Sequence, residues 1–218
     1  MNQLLWQLID SGFPAGGFAH SSGLESNVHY GRVADHGDLL AFARQTLSQS
    51  GRSALPLVTA AHRDPDTLVE LDRLSDVFLS NPVANRASRA QGRALLKAAS
   101  LSFASRTLAA IEGRMGNGFC AHYAPVFGIV CAALDISCGD AQRGFLFTTV
   151  RGVTTAAVRL GLIGPYQAQG LQRTLAADID RTIDRYGSLA PSDIAHTAPI
   201  LDLCQATHDR LYSRLFQS

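Results

Sequence analysis

Asp64-Pro-Asp-Thr-Leu-Val-Glu-Leu-Asp-Arg-Leu-Ser-Asp-Val-Phe-Leu-Ser-Asn-Pro82 decides the fold class, because this stretch contains one helical pattern and the start of the next. Asp64 and Asn81 each place a capping side chain before a proline, and proline suits the first position of a helix. The stripe between them has helical spacing and consists of Leu68, Leu71, Ser75 and Phe78. The stretch therefore predicts one helix and fixes the start of another.

Residues that start and stop helices recur along the whole chain. No segment shows the alternation of apolar and polar residues that is typical of a strand. Gly164-Pro165 separates two long helical patterns, and the second carries Leu175, Ile179 and Ile183 on one face. The sequence therefore predicts an all-α fold, a single-domain bundle of about ten helices over residues 1–218. We expect helices near 2–10, 22–31, 36–50, 52–63, 65–79, 82–104, 105–113, 122–135, 140–162 and 165–186, with a terminal helix over about 198–217. Residues 116–118 and 187–198 are the expected irregular connections.

The composition limits the class of function. Hydrophobic residues make up 46% of the 218 residues and charged residues only 17%, which leaves apolar surface that association could cover. We therefore expect an oligomer or a complex. The net charge of +1 is spread over mixed charges, so it creates no field that gathers phosphates and argues against nucleic-acid binding.

The N-terminus and the cysteines indicate a cytoplasmic protein. The chain reaches Asp10 without a basic lead-in or a long apolar core, unlike a secretory signal. The longest apolar stretch, residues 124–134, is shorter than the roughly 20 residues that a membrane span needs. Apolar surroundings without a CxxC pair fit reduced thiols at Cys120, Cys131, Cys138 and Cys204.

One segment is rich in glycine: Pro14-Ala-Gly-Gly-Phe-Ala-His-Ser-Ser-Gly-Leu-Glu25. It contains neither GxxxxGK[ST] nor GxGxxG, the two glycine-rich patterns that bind phosphate groups. It also follows no strand, so it predicts no nucleotide site. Gly16 and Gly17 predict a tight turn. Ser21 or Ser22 would then cap the following helix, with Glu25 completing a capping box.

Seven histidines and four cysteines raise the question of a metal site. The closest group is Cys120-x-His122, followed by Cys131 and Cys138, but no CxxC or HExxH spacing completes a ligand shell. His208 fits a hydrogen-bonded packing histidine better than a ligand. The sequence thus predicts no resident metal and no cofactor, while a transient nickel or zinc contact stays open.

A basic stripe lies on the helix after Asn81 and consists of Arg86, Arg89, Arg93 and Lys97. It fits a solvated face balanced by acidic neighbours, and the alternative is a docking face for an acidic or nucleotide-binding partner. Further along, Gly144, Gly152 and Gly161 interrupt a helical pattern. Glycine destabilises a helix interior, so these positions predict close helix contacts or a locally irregular helix.

The C-terminal stretch from Thr197 predicts an amphipathic helix that docks on a protein surface and whose tip points away from the chain. Its apolar stripe consists of Leu201, Cys204, His208, Leu211 and Leu215. The end of the stretch adds Tyr212, Arg214 and Phe216, where a terminus would normally fray. Such a cluster is typical of a hot spot for a partner.

Four segments in order resemble the UreF family of urease accessory proteins: Pro14-Ala-Gly-Gly-Phe-Ala-His-Ser-Ser-Gly-Leu-Glu25, His122-Tyr-Ala-Pro-Val-Phe-Gly128, Val153-Thr-Thr-Ala-Ala-Val-Arg159 and His208-Asp-Arg-Leu-Tyr-Ser-Arg-Leu-Phe-Gln-Ser218. The resemblance spans nearly the whole chain, and residues 80–93 are similar to the family's middle segment. One departure is Leu162-Ile-Gly-Pro-Tyr-Gln167, where many members have Pro-Leu-Gly-Gln.

The resemblance implies an all-helical homodimer that acts as a non-catalytic scaffold, or chaperone, for nickel insertion during urease maturation. It implies as partners the accessory protein UreD (also called UreH), the GTPase UreG and apo-urease, with nickel handled by the assembled complex. Docking to UreD would involve His208, Tyr212, Arg214, Leu215, Phe216 and Ser218. A structural turn would be formed by Pro14, Gly16, Gly17, Phe18, His20, Ser21, Gly23 and Glu25.

Two other functions stay open at this point. A GTPase-activating protein in the strict sense would insert an arginine, such as Arg93 or Arg214, into its partner's site to stabilise phosphoryl transfer. A small hydrolase would use His20 and Ser21 as base and nucleophile. Adjacent residues rarely meet at hydrogen-bond geometry, and no orienting carboxylate is evident, so the sequence favours the scaffold.

Overall fold

The computed structural model describes residues 3–115 and 118–218, and it confirms the all-α prediction. Within these residues there is no β-strand, and only Met115 and Phe119 form an isolated bridge. The eleven α-helices there are α1 (Gln3–Leu8), α2 (Leu24–His29), α3 (His36–Ser53), α4 (Leu55–Arg63), α5 (Leu68–Phe78), α6 (Pro82–Ser102), α7 (Arg106–Glu112), α8 (Tyr123–Ala133), α9 (Cys138–Arg159), α10 (Pro165–Tyr186) and α11 (Pro199–Ala206). Two residues of the connection predicted at 116–118, Gly116 and Asn117, lie outside the described residues.

The helix α8 forms the centre of the bundle, and its residues from Ala124 to Cys131 are all buried. The backbones of α4 and α6 come so close to α8 and to the residues just before it that no side chain fits between them. A Cβ on Gly128 of α8 would lie 2.3 Å from the carbonyl oxygen of Val58 in α4. A Cβ on Gly92 of α6 would lie 2.0 Å from the carbonyl oxygen of Ala121, just before α8. Only glycine allows these contacts, since any side chain would overlap the neighbouring backbone.

The long helix α9 packs against α3, α4 and α10. Close helix contacts were predicted at three glycines of this segment, and the structure shows one at Gly144 only. A Cβ on Gly144 would lie 2.9 Å from Leu5 of α1, whereas one on Gly152 would meet no described atom within 4 Å. Gly161 follows the end of α9 with a φ of +73°, so it belongs to the turn after the helix.

The two caps that fixed the fold class are present, with one shift in register. Asn81 accepts hydrogen bonds from the amides of Val83 and Ala84 at the start of α6. Asp64 caps a short 3-10 turn, Pro65–Thr67, and α5 starts only after it, at Leu68. The predicted start of that helix at residue 65 was therefore three residues early.

The predicted terminal helix over 198–217 is wrong beyond Ala206. There α11 ends, a short 3-10 helix covers His208–Arg210, and the remaining residues are irregular. The physical reason is that backbone amides near the end bond to residues far back in the sequence instead of to the preceding turn. Across the described residues, no helix has the length and apolar character needed to cross a bilayer.

Candidate functional site

Residues 207–218, called the tail, fold back onto residues 14–25, called the glycine turn. The amide of Gln217 donates to the carbonyl oxygen of Ala19 at 2.8 Å, and the amide of Ser21 donates to the carbonyl oxygen of Ser218 at 2.6 Å. The expectation that the tip points away from the chain is therefore wrong. Two segments from opposite ends of the sequence form one surface.

The buried carboxylate of Glu25 holds the tail in place. Its Oε1 accepts from the amide of Leu215 at 2.6 Å, and its Oε2 accepts from the amide of Phe216 at 3.2 Å. The same Oε2 lies 2.9 Å from Nε2 of the buried His208. The predicted capping box is thus wrong: Gly23, with a φ of +84°, is the N-cap of α2, and no side chain caps it.

The two histidines of this site serve the fold. His208 is a packing histidine, as predicted, and its Nδ1 meets no hydrogen-bond partner among the described residues. The Nδ1 of His20 bonds to the hydroxyl of Ser218, and burial together with the nearby His208 lowers the pKa of His20. The Ser21 hydroxyl donates to the Ser218 carbonyl at 3.2 Å, so the described hydrogen bonds of His20 and Ser21 go to the tail and not to each other.

Arg159, the last residue of α9, joins the tail to the glycine turn from the side. Its guanidinium carbon lies 4.1 Å from the ring centroid of Phe18 and 4.1 Å from that of Phe216. It donates to the carbonyl oxygen of Phe18 at 2.5 Å and to that of Leu215 at 3.4 Å. The sequence analysis assigned Arg159 no role in holding the tail, although Arg159 is the last residue of one of the four segments that resemble the family.

The helix α11 is fixed by contacts with α2 and α6. A Cβ on Gly23 would lie 3.1 Å from Cβ of Gln205, so glycine permits the close approach. The Asn81 side chain donates to the carbonyl oxygen of Asp202 at 3.0 Å. Arg86 pairs with Asp209 at 2.6 Å. These contacts connect α11 and the tail to the glycine turn and to α6.

The basic stripe is mostly engaged with neighbouring groups of the chain. Besides the pair made by Arg86, Arg89 lies 4.0 Å from a carboxylate oxygen of Asp76, and Arg93 donates to the carbonyl oxygen of Cys120 at 3.1 Å. Lys97 is exposed. These contacts favour the solvated-face interpretation over a docking face.

The six residues predicted to dock a partner divide into two groups. His208, Phe216 and Ser218 are buried against the glycine turn. Tyr212, Arg214 and Leu215 are exposed, and Tyr212 is fully so. Exposed apolar side chains are also present on α11, at Ile200 and Leu203. The first group holds the tail, and only the second can touch a partner directly.

A cleft of about 630 Å³ lies beneath the glycine turn. Its two histidines are His20 and His196. The ring of His196 stacks on Phe78 at 4.2 Å and pairs with Asp202 at 2.7 Å. Neither histidine contacts a hydroxyl of a serine that lines the cleft. The lining residues that the structure describes therefore present no base poised beside a nucleophile.

One group of metal-ligating side chains comes together away from the tail. Ligand atoms of Asp76, Cys120 and His122 all lie within 4.8 Å of one another. Cys131 and Cys138, the other two residues of the sequence pattern, are not in this group, and Asp76 is a member that the sequence did not reveal. Burial lowers the pKa of His122, and the hydrogen bond from Asn85 lowers the pKa of the Asp76 carboxyl.

Comparison with known proteins gives one consistent family. The UreF family profile matches residues 33–176. Urease accessory protein F of Oryza sativa subsp. indica is 38% identical over 216 residues, which cover 97% of this chain and 83% of that protein. Urease accessory protein F of Arabidopsis thaliana is 36% identical over 218 residues, covering 98% and 91%. Urease accessory protein UreF of Arthrobacter sp. (strain FB24) is 32% identical over 219 residues, covering 98% and 96%.

Proposed function

The chain belongs to the UreF family of urease accessory proteins and so has a role in urease maturation, and from this premise we propose that it is a non-catalytic scaffold whose tail captures UreD. One observation carries the proposal. Buried contacts to Glu25 hold the tail on the folded body, while Tyr212, Arg214 and Leu215 stay exposed. An anchored segment with exposed aromatic and guanidinium groups fits a docking surface.

Rigid anchoring favours tight binding. A flexible tail would lose conformational freedom on docking, which reduces affinity, whereas a tail already fixed loses little. Tyrosine and arginine are also the side chains that most often dominate protein interfaces. In this proposal His208, Phe216 and Ser218 position the docking surface, and Tyr212, Arg214 and Leu215 make the contact.

We propose further that the GTPase UreG and apo-urease join the same cytoplasmic assembly and that nickel reaches urease within it. This part rests on the family to which the chain belongs. A strict GTPase-activating role is the second candidate, and the contacts of both candidate arginines speak against it. Arg93 donates to the carbonyl oxygen of Cys120 and Arg214 pairs with Asp209, so each would have to leave a partner to reach a GTPase.

Replacing Tyr212 with alanine should weaken UreD binding while leaving the fold intact, because the described residues leave this side chain fully exposed. Removing such an anchor costs on the order of 2 kcal/mol, about thirtyfold in affinity. Isothermal titration calorimetry against purified UreD measures the change. The matched control is Tyr166→Ala, which removes another exposed tyrosine at the start of α10. Equal affinities for the unmodified protein and Tyr212→Ala would show that UreD docks elsewhere.

We also expect the protein to form a homodimer at micromolar concentration. Large apolar side chains remain exposed on several helices, among them Trp6, Val77 and Leu101, and a second copy could cover such surface. Multi-angle light scattering over a concentration series gives the mass directly. A mass that stays at one chain as the concentration rises would contradict the prediction.

A further inference from the structure

Three side chains with metal-ligating atoms meet where α5 and the loop before α8 approach each other: the carboxylate of Asp76, the thiol of Cys120 and the imidazole of His122. Their ligand atoms lie within 4.8 Å of one another. We propose that these three residues bind a borderline divalent transition-metal ion, and that zinc is the ion they fit best. Metal binding by the chain itself goes beyond the scaffold role, because it needs no partner.

The donor set selects the class of metal. One sulfur, one imidazole nitrogen and one carboxylate oxygen are the ligands that zinc prefers, whereas calcium and magnesium take oxygen ligands only. The Nε2 of His122 lies 3.1 Å from Oδ1 of Asp76. Two nitrogen or oxygen ligands of a tetrahedral zinc ion are separated by about 3.3 Å, given bonds of about 2.0–2.1 Å. The observed spacing therefore suits two ligands of one ion.

The backbone that carries Cys120 and His122 is fixed before any ion binds. The buried carboxylate of Asp72 accepts from the amides of both residues, each at 2.7 Å. Ala121 between them has a φ of +61°, which a non-glycine residue adopts only when its surroundings hold it there. Both side chains are consequently directed from one rigid loop toward α5.

The second nitrogen of His122 is oriented as in known metal sites. Its Nδ1 lies 3.1 Å from the hydroxyl oxygen of Ser88, which also accepts from the amide of Tyr123. When Nδ1 donates its proton to this hydroxyl, Nε2 presents a lone pair toward Asp76 and Cys120. Ligating histidines are typically held by such a partner on the other ring nitrogen.

The simpler interpretation is a hydrogen bond from Nε2 of His122 to Asp76, with no metal. It accounts for the distance of 3.1 Å but assigns no role to the thiol of Cys120 beside it. The carboxylate contacts of Asp76 with Asn85, Arg89 and His122 all fall on Oδ1, and in the metal-bound form the ion would take the place of the direct contact with His122. The two interpretations differ in whether the thiol binds an ion, which is measurable.

The site is open enough to exchange its ion. The Asp76 side chain is 44% exposed and Cys120 is half-buried, so an ion reaches the ligands from solvent. Three protein ligands leave a fourth position for water or for a transferable ligand, unlike a closed structural site with four. We therefore expect reversible binding with one ion per chain.

Cobalt titration of the purified full chain tests the site, because cobalt replaces zinc and absorbs light. We expect one Co²⁺ per chain, a thiolate-to-cobalt charge-transfer band, and displacement by Zn²⁺. Cys120→Ser should abolish the band, and Ser88→Ala should weaken affinity by about 10–100-fold. The matched control is Cys138→Ser, which removes another half-buried thiol outside the group.

Three outcomes would overturn the site: no binding, binding without the charge-transfer band, or a band that persists in Cys120→Ser. Asp76→Asn changes a partly exposed carboxylate and keeps its size, so it tests the site even if Cys120→Ser fails to fold. Its affinity for Co²⁺ should fall at least tenfold, and unchanged affinity would also refute the site. UreD capture is measured separately, and its failure would refute the scaffold and leave the metal site standing.

Discussion

Replacing Glu25 with glutamine should release the tail and remove most of the proposed binding to UreD, while the helical content stays nearly unchanged. The carboxylate accepts from two tail amides and from His208 with two oxygens. Glutamine has only one acceptor oxygen, so at least one buried donor would lose its partner, at about 1–3 kcal/mol for each group. We expect the tail contact to weaken by about 3 kcal/mol, roughly a hundredfold in its equilibrium.

Hydrogen exchange of the Leu215 and Phe216 amides measures this release, because both bond to Glu25 in the docked tail. The control is Glu70→Gln, which makes the same change at an exposed site on α5. Protection of both amides that is unchanged in Glu25→Gln would show that the glycine turn holds the tail without this carboxylate.

Replacing Gly92 with alanine should destabilise the whole bundle. The new Cβ would lie 2.0 Å from the carbonyl oxygen of Ala121 and 2.8 Å from the carbonyl carbon of His122. Asp72 holds this loop through two amides, so the backbone cannot move aside without breaking buried hydrogen bonds. We expect the free energy of unfolding to fall by about 3 kcal/mol or more.

Urea denaturation followed by circular dichroism measures the difference. The control is Gly170→Ala in α10, where no described atom lies within 4 Å of the new Cβ. Alanine favours helix, so this variant should be up to about 1 kcal/mol more stable than the unmodified protein. If both variants unfold at the same urea concentration, α6 and α8 do not meet as tightly as Gly92 indicates.

Local sequence patterns were sufficient to predict the helices but not the conformation of the tail. The cap at Asn81 and the apolar periodicity depend on residues a few positions apart, and the structure contains both. Leu211 and Leu215 keep helical spacing, so the sequence extended the last helix through them. That helix ends early because the amide of Leu215 bonds to the carboxylate of Glu25, which is 190 positions away in the chain. No local pattern contains both residues.

The same limit explains why the role predicted for Glu25 was wrong and why Asp76 was missed. Glu25 follows a serine pair at capping distance, yet its carboxylate serves the tail instead of α2. Asp76 is 46 positions from His122, too far along the chain for any motif of closely spaced cysteine and histidine to include it. Arg159 was overlooked because its two ring partners lie on opposite ends of the chain.

The pairing of the glycine turn with the tail also bears on the order of folding. Its contacts join residues 183 to 198 positions apart in the sequence. Contacts of such separation carry a large chain-closure entropy, and they become favourable only after the helices between them have assembled. A partner that recognises the docked tail would therefore bind finished chains and pass over nascent or misfolded ones, and in the proposed assembly the tail would act as a checkpoint for entry.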